Sequence, residues 1–286
     1  MNYTLRLSNN RFPNLPAQAE TPSVRDRISA QAYPDPAGTQ TVQPKFSAAA
    51  CKPCCCVNPG KAEFRTVGGR RWQRLALRTH VLTHKDSLRN TVEHYALPFL
   101  MPGDVLFISE KAVACTQNRA IAMEQIHPRP LARLLCRFVH KTPFGIGLGI
   151  PETMEMALKE CGVVRILFAA LVSAFGKLIG RRGWFYKIAG SRASAIDGPC
   201  DCTIPPYNHY VVLGPENPDK TAHMLAEAIG FPVAIVDIND LGAQILDVSG
   251  PDLDVSLLCE ILRDNPLGQG HQSTPMGILR AAGEPA

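Results

Sequence analysis

The sequence predicts an α+β fold, because segments typical of strands and segments typical of helices follow one another without a regular strand–helix–strand repeat. Strand-like apolar runs occur at residues 105–108 and 233–236, and "KTAHMLAEAIG" has the spacing of an amphipathic helix. The chain has 286 residues, of which 45% are apolar, so it is long enough to bury a substantial core. We therefore expect mixed sheets with helices packed on them.

Residues 1–68 are predicted to form a disordered tail rich in proline and cysteine, followed by one domain over residues 69–286. The tail holds eight prolines among many polar residues, and no helix or strand period persists in it. A transit peptide is the alternative, because several arginines lie there among serine and asparagine. Glu20, Asp26 and Asp35 argue against that alternative.

Ten cysteines are present, and four of them lie in "CKPCCC" at residues 51–56. The first thirty residues contain no apolar segment of the kind that a secretory signal needs, so we expect reduced thiols in a cytoplasmic protein. A single CxxC without a matching second pair is a weak indication of a zinc site.

Periodicity predicts the elements of the domain in order. A strand near residues 75–81 precedes the helix "SLRNTVEHYAL", with Asp86 or Ser87 as its cap. The apolar run at residues 166–175 predicts a helix too short to span a membrane, since a span takes roughly 20 residues. The other predicted elements are the strand at 105–108, helices "RPLARLLCRFV" and "PETMEMALKEC", a strand at 209–213, the helix "KTAHMLAEAIG", strands "PVAIVD" and "AQILDV", and the helix "DVSLLCEILRD".

Polar side chains follow the apolar run at 233–236, where Asp237, Asn239 and Asp240 end the predicted strand. Carboxylates at the end of a buried strand are unfavourable unless hydrogen bonds or a cation compensate them. A metal site is one interpretation of this pattern. An Asx turn with a capping role is the other.

Composition and motifs exclude several common classes of site. A formal net charge of +5 is too small for a nucleic-acid-binding surface that relies on basic stripes, so we expect no nucleic-acid partner. The glycines of "FGIGLGI" do not have the spacing of a dinucleotide fingerprint, and "FGKLIG" lacks the Ser or Thr of a P-loop. The chain contains no HExxH and no GxSxG motif.

Four segments taken together resemble the coenzyme F-420 gamma-glutamyl ligases over roughly residues 78–282. They are "PGDVLFISEKAVACTQNRA", "VVLGPENPDKTA", "VAIVDIND" and "NPLGQGHQSTPMGILR". The resemblance implies a fold similar to that of this family and a ligase that uses GTP with Mg²⁺ or Mn²⁺. Such an enzyme phosphorylates a carboxylate of a deazaflavin precursor, and the amine of glutamate then displaces phosphate. The family also implies a homodimer.

The resemblance assigns roles to particular residues. It implies metal binding by Asp237, with Asp240 or Asn239 beside it, and by Gln269 in "LGQ". It also implies that Lys111 and Arg119 bind phosphate. Arg192 stands where the family has a second metal-binding aspartate, so we expect Arg192 to bind phosphate and Asp197, five residues later, to take over as a metal ligand.

Two residues without a counterpart in the family, Asn208 and His209, are predicted to contact the substrate because they follow a double proline in "TIPPYNHYVV". The alternative is that they satisfy backbone groups in the turn.

The leading hypothesis is an amide-forming ligase, acting on a small-molecule carboxylate and an amino acid. Arg192 in the place of an acid, and a short stretch between "VDINDLG" and "NPLGQ", favour an alternative: a non-catalytic relative that binds a nucleotide or phosphorylated ligand. A third hypothesis is a membrane-surface protein, since "ILFAALVSAFGKLIGRRGWFYK" joins a short apolar helix to basic and aromatic residues.

Overall fold

The computed structural model describes residues 53–139, 147–178, 180–181, 183–239 and 242–283. The strands among these described residues are β1 (Cys54–Cys56), β2 (Phe64–Val67), β3 (Arg70–Arg78), β4 (Val105–Ser109), β5 (Ala120–Ala122), β6 (Tyr210–Val212), β7 (Val233–Asn239), β8 (Gly242–Val248) and β9 (Met276–Ala282). The α-helices are α1 (Leu88–Tyr95), α2 (Glu110–Thr116), α3 (Pro130–Leu135), α4 (Pro151–Cys161), α5 (Val163–Leu178), α6 (Trp184–Ala189), α7 (Ser191–Ser194), α8 (Pro218–Ile229) and α9 (Val255–Leu262).

The main sheet is mixed, which confirms the predicted α+β class. Its strand order is β1-β3-β9-β4-β7-β8, and β2 also pairs with β3. Strands β4 and β7 are parallel, with Ser109 opposite Val236, whereas the other pairs in this sheet are antiparallel. A second, two-stranded sheet joins β5 to β6. Because β4 and β7 are parallel, their carboxyl ends meet at the same edge of the main sheet.

Helices cover both faces of the main sheet. Leu106 and Ile108 of β4 pack in a buried cluster with Leu225 of α8, whereas Phe107 points to the other face and packs with Ile261 of α9. Strands buried on both faces read as continuous apolar runs, which is why β4 and β7 were predictable from the sequence.

A third buried cluster holds the helices that lie between β5 and β6 in the chain. Met154 of α4, Ile166 of α5 and Val211 of β6 belong to it. Pro151 occupies the first turn of α4, as predicted from the sequence. No helix among the described residues is long and apolar enough to cross a membrane.

The folded domain begins before residue 69, so the predicted boundary of the disordered tail is wrong where the structure describes it. Strands β1 and β2 both lie within the predicted tail, and each pairs with β3. Asn58 is buried, and its amide nitrogen donates to the carbonyl oxygens of Pro266 (3.0 Å) and Leu267 (2.8 Å). Strands of three and four residues are too short to show a period among prolines and cysteines. Residues 1–52 of the predicted tail lie outside the described residues.

One pair of cysteines departs from the prediction of reduced thiols. Cys200 and Cys202 form a disulfide, so the prediction is wrong for this pair. The other described cysteines form no disulfide and carry thiols: Cys54, Cys55, Cys56, Cys115, Cys136, Cys161 and Cys259.

Gly277 of β9 lies where no side chain fits, and this position yields a first prediction. A Cβ atom there would meet the Phe107 ring and would lie 2.7 Å from the Leu75 carbonyl oxygen of the neighbouring strand. Because backbone and a buried ring cannot both move away, we expect Gly277→Ala to lower the free energy of unfolding by about 1–3 kcal/mol. Urea denaturation measures this change. Gly250→Ala, which meets nothing within 4 Å, is the matched control; equal losses in both variants would contradict the packing argument.

The ion pair of Arg74 and Asp264 yields a second prediction. The Arg74 side chain is fully buried, pairs with Asp264 and donates to the carbonyl oxygen of Ile261 at 3.0 Å. Partial burial would raise the pKa of Asp264, but the hydrogen bond and charge of Arg74 hold this pKa below its ordinary value. Because Asp264 is partly exposed, we expect Asp264→Asn to lower the free energy of unfolding at neutral pH by about 2 kcal/mol, less than the loss of a fully buried pair.

The pH dependence of this loss follows from the depressed pKa. The stabilisation is present above the pKa of an unfolded aspartate, about 3.9, and disappears as the pH falls through the folded value. Denaturation curves of the wild type and the variant should therefore converge in acid. Asp252→Asn, at an exposed aspartate, should change stability little at any pH.

Candidate active site

The candidate site lies at the edge of the main sheet where β4 and β7 end. Ser109 is the last residue of β4, and α2 begins at once with Glu110 and Lys111. Asp237 follows Val236, the residue that pairs with Ser109. The parallel register therefore places Glu110 and Asp237 in equivalent positions, each one residue beyond the last parallel pair.

Lys111 forms an ion pair across this edge. Its Nζ lies 2.7 Å from Oδ2 of Asp197. Backbone hydrogen bonds with Val212 hold Asp197 in place, at 2.8 and 3.0 Å. Burial would lower the pKa of Lys111, but Asp197 raises it above its ordinary value. Lys111 therefore stays a cation at neutral pH.

Three carboxylates share this single cation. Burial, and then the charges of Asp237 and Asp197, raise the pKa of Glu110 from 4.5 to about 8. Burial and the charge of Asp197 also raise the pKa of Asp237, while Lys111 and a hydrogen bond with Asn239 oppose the change. With a pKa of about 8, Glu110 is largely protonated at neutral pH, so the carboxylates left to share Lys111 are Asp197 and Asp237. Glu110 was not predicted as a site residue, although the sequence shows its place between a strand end and Lys111.

A cavity of about 160 Å³ opens beside this cluster. Its apolar lining includes Leu82, Ile204 and Ile238. The groups that can donate or accept hydrogen bonds are His80, Ser109, Lys111, Thr203, Tyr207, Gln272, Ser273 and Thr274. Both a hydrophobic wall and polar side chains are therefore present, as in small-molecule sites.

Two reactive groups in the lining are held in their neutral forms. Burial raises the pKa of the Cys115 thiol to about 11, so this cysteine is not a thiolate nucleophile. Burial also raises the pKa of Tyr207 above its ordinary value, and its hydroxyl donates to the carbonyl oxygen of Leu82 at 2.6 Å. Both groups therefore shape the cavity as uncharged side chains.

Gln269 lies beside the cavity, in the loop that leads to β9. Gly268 and Gly270 on either side of it line the cavity. The Oε1 atom of Gln269 accepts a hydrogen bond from Asn265 at 3.0 Å. Asn58 bonds to this same loop and so fixes its position. The side chain of Gln269 is exposed, and no hydrogen bond or ion pair joins it to Asp237 among the described contacts.

The predicted metal ligands are only partly brought together. Asp197 and Asp237 interact electrostatically, and Gln269 lies in the adjoining loop. Asp240 lies outside the described residues. Within the described residues no group of three or more His, Cys, Asp or Glu side chains is placed to hold a metal ion. The oxygen donors have the chemistry that Mg²⁺ and Mn²⁺ prefer, so metal binding here stays a prediction.

Arg119, a predicted phosphate ligand, is engaged with protein groups. Its guanidinium lies 2.6 Å from Glu160 and 2.7 Å from Glu216, and it donates to the carbonyl oxygen of Gly214. Only 12% of the side chain is exposed, and it does not line the cavity beside Lys111. The geometry gives Arg119 a structural role that the sequence did not indicate, and phosphate binding by it stays a prediction.

Arg192 lies apart from the cavity beside Lys111. Its side chain is 69% exposed and lies 3.6 Å from Glu160. With Arg165 and Gly190 it lines a second cavity of about 290 Å³. The sequence interpretation that Arg192 binds phosphate together with Lys111 requires a ligand that reaches both cavities.

Asn208 and His209, the predicted substrate contacts, lie in a short 3₁₀ turn at Tyr207–His209. His209 is exposed, and the buried Oδ1 of Asn208 has no hydrogen-bond partner among the described residues. Neither residue lines the cavity, whereas Tyr207, which precedes them in the chain, does. Substrate contact by Asn208 and His209 stays a prediction.

Comparison with known proteins decides the family. The family described as F420-0:Gamma-glutamyl ligase matches residues 76–241, more than half of the chain. The chain belongs to this family. The matched range contains the whole cluster of Glu110, Lys111, Asp197 and Asp237, whereas Gln269 lies beyond it.

A curated member of this family shows how far the similarity extends. The coenzyme F420:L-glutamate ligase of Methanopyrus kandleri (strain AV19) is 26% identical over 152 residues, which cover 53% of this chain and 50% of the relative. The similarity therefore spans about half the length of this ligase.

The pairing of Arg119 yields a third prediction. Arg119→Met would leave Glu216 without its ion-pair partner, and would leave Glu160, which is only 15% exposed, with the more distant Arg192 as its cation. We expect the free energy of unfolding to fall by about 2 kcal/mol, measured by urea denaturation. The control is Arg192→Met, which removes an exposed arginine and should change stability by about 0.5 kcal/mol at most. A larger loss in the control than in Arg119→Met would show that the structural role is assigned to the wrong arginine.

Proposed function

We propose that this protein is an amide-forming ligase that activates a small-molecule carboxylate with GTP for attack by the amine of an amino acid. The observation that carries the proposal is the cluster of Lys111 with three carboxylates at the sheet edge, within the range that matches the ligase family. The resemblance adds a deazaflavin acceptor and a homodimer to the same proposal, and the expectation of reduced thiols adds a cytoplasmic location.

Lys111 is the residue best suited to meet a phosphate. It is a cation that lines the cavity, and its ion pair with Asp197 is partly exposed on both sides. Exposed ion pairs contribute about 0–1 kcal/mol, so a phosphate group can replace Asp197 as its partner at small cost. Lys111 would then orient the transferred phosphoryl group.

The proposal includes a divalent metal ion bound by the carboxylates at the sheet edge. Burial first, and then the neighbouring carboxylates, raise the pKa values of Glu110 and Asp237, and a bound cation would favour the ionised form of both. Asp237 and Asp197 would hold Mg²⁺ or Mn²⁺, together with Asp240 and Gln269 by resemblance. When bound, such an ion neutralises the triphosphate and aligns the reacting oxygens.

The cavity fits the carboxylate or amine substrate rather than the nucleotide. A volume of about 160 Å³ is below the range of cavities that enclose drug-sized ligands, so a triphosphate would lie largely outside it. Leu82, Ile204 and Ile238 form an apolar wall. Such a wall keeps water away from an activated carboxylate, which water would otherwise hydrolyse.

The second candidate is a non-catalytic relative that binds a nucleotide or a phosphorylated ligand. It is favoured by the Lys111–Asp197 ion pair, which already occupies a carboxylate proposed to bind metal. Arg192, where the family has an acid, favours it as well. The two candidates differ in metal dependence, because phosphate binding by lysine and arginine needs no cation.

Calorimetric titration with GTP, with and without Mn²⁺, tests the proposal and gives a fourth prediction. We expect Lys111→Met to weaken GTP binding about tenfold or more, since a hydrogen bond to a charged group is lost. Asp237→Asn should remove the gain in affinity that Mn²⁺ provides. The matched controls are Lys220→Met and Asp252→Asn, which change exposed residues away from the cluster and should bind GTP as the wild type does.

The reaction itself is measured by phosphate release and by the mass of the product, with the deazaflavin precursor and glutamate as substrates. Metal-dependent GTP binding together with amide product supports the ligase. GTP binding that ignores Mn²⁺ and Asp237→Asn, without product, supports the non-catalytic relative. Unchanged GTP binding in Lys111→Met contradicts both.

A further inference from the structure

Helix α5 is apolar on two opposite faces, and the described residues cover only one of them. Ile166, Ala169 and Gly176 are buried, toward the third hydrophobic cluster and the ring of Trp184. The other face exposes five large apolar side chains: Val164 (82%), Leu167 (42%), Phe168 (56%), Leu171 (68%) and Phe175 (59%). At 100° per residue these five fall within an arc of about 100°, opposite the buried face.

An exposed apolar stripe of this size on a helix is typical of an interaction surface. We define the α5 surface as the stripe formed by Val164, Leu167, Phe168, Leu171 and Phe175. Isolated exposed apolar residues occur on any protein, but the five residues of the α5 surface are contiguous along three turns of one helix.

The segment that carries the α5 surface is strongly basic. Eleven Lys or Arg residues and three Glu residues lie between Arg129 and Arg192, a formal charge of +8. The whole chain carries +5, so the remainder of the chain carries a net charge of −3. Charge asymmetry of this kind indicates an anionic partner for the basic segment.

Several of these basic residues are exposed close to α5. Arg165 is exposed on α5 itself, where its Nε donates to the carbonyl oxygen of Ile188 at 2.8 Å. Beyond the carboxyl end of the helix, the backbone N–H of Arg181 donates to the carbonyl oxygen of Gly176 at 2.7 Å. This turn holds the exposed Arg181 beside the carboxyl end of the stripe, whereas the exposed Lys187 lies in α6, next to the Ile188 that contacts Arg165.

We propose that the α5 surface seats the protein on an anionic lipid bilayer. The stripe would lie in the boundary between headgroups and acyl chains, parallel to the membrane, with Arg165, Arg181 and Lys187 against lipid phosphates. No described helix spans a bilayer, so the contact is peripheral. This inference is independent of the proposed ligase activity.

Other occupants fit the α5 surface less well. A second copy in a two-fold dimer would place the same surface against itself and bring two basic segments together, which repel each other. A nucleic acid would satisfy the positive charge but would leave five large apolar side chains without contacts. An anionic bilayer satisfies both the charge and the apolar stripe.

Flotation of the full chain with lipid vesicles tests this inference and gives the fifth prediction. We expect binding to phosphatidylcholine vesicles that contain about one third phosphatidylglycerol, and much weaker binding to pure phosphatidylcholine. The double variant Phe168→Ser, Leu171→Ser should reduce the partition coefficient about tenfold. The double variant Arg181→Ala, Lys187→Ala should reduce it about tenfold at low salt and little at high salt.

Matched controls come from α8, where Met224 and Lys220 are exposed. Met224→Ser with Lys220→Ala should bind vesicles as the wild type does. Because all four substituted residues of the test variants are exposed, their thermal unfolding should match that of the wild type. Wild-type binding that is absent, independent of anionic lipid, or unchanged in either test variant overturns the inference. A dimer that dissociates in Phe168→Ser, Leu171→Ser, without vesicle binding by the wild type, assigns the surface to a second copy.

Discussion

The parallel contact between β4 and β7 is the constraint on which the candidate active site depends. It is the one parallel pair in the described main sheet, and it brings two strand ends to a single edge. Burial on both faces holds the two strands in register, because a slip of one residue would turn Phe107 away from α9 and into the opposite cluster. Gly277 adds to this constraint, since it lets β9 approach β4 under the Phe107 ring.

The charges at that edge are unfavourable for folding and therefore informative about function. Asp197 and Asp237 repel each other and, with burial, keep Glu110 largely protonated at neutral pH, and Lys111 is the cation that pairs with Asp197. A protein selected for stability alone would replace such a cluster by apolar or paired groups. Clusters with shifted pKa values are typical of sites where a ligand brings the missing charge. A triphosphate with its metal would supply partners for both kinds of charge: phosphate groups for Lys111 and a cation for the carboxylates.

The sequence predicted strands from local patterns of apolar residues, but it did not predict contacts between residues that are far apart in the chain. Strands β4 and β7 were predictable because continuous apolar runs end in polar residues, and Asp237 was found as the polar group that ends one of them. The partners of Arg119 were not predictable, because Glu160 and Glu216 lie 41 and 97 positions away. For the same reason the buried Asn58, whose bonds reach across 208 and 209 positions, appeared to belong to a tail.

The Lys111–Asp197 pair joins two parts of the domain that have separate hydrophobic clusters. Lys111 begins the helix that follows β4 of the main sheet, whereas Asp197 follows the helices whose cluster contains Met154 and Ile166. The backbone of Arg119 accepts a hydrogen bond from Leu213, and so ties the same two parts together at a fixed point. The Arg119 side chain is shielded from solvent, so its ion pairs resist opening. The Lys111–Asp197 pair is partly exposed, so it opens at little cost. Under the proposed function, a phosphate that binds Lys111 would therefore release Asp197 while the contacts of Arg119 between the two clusters stay intact.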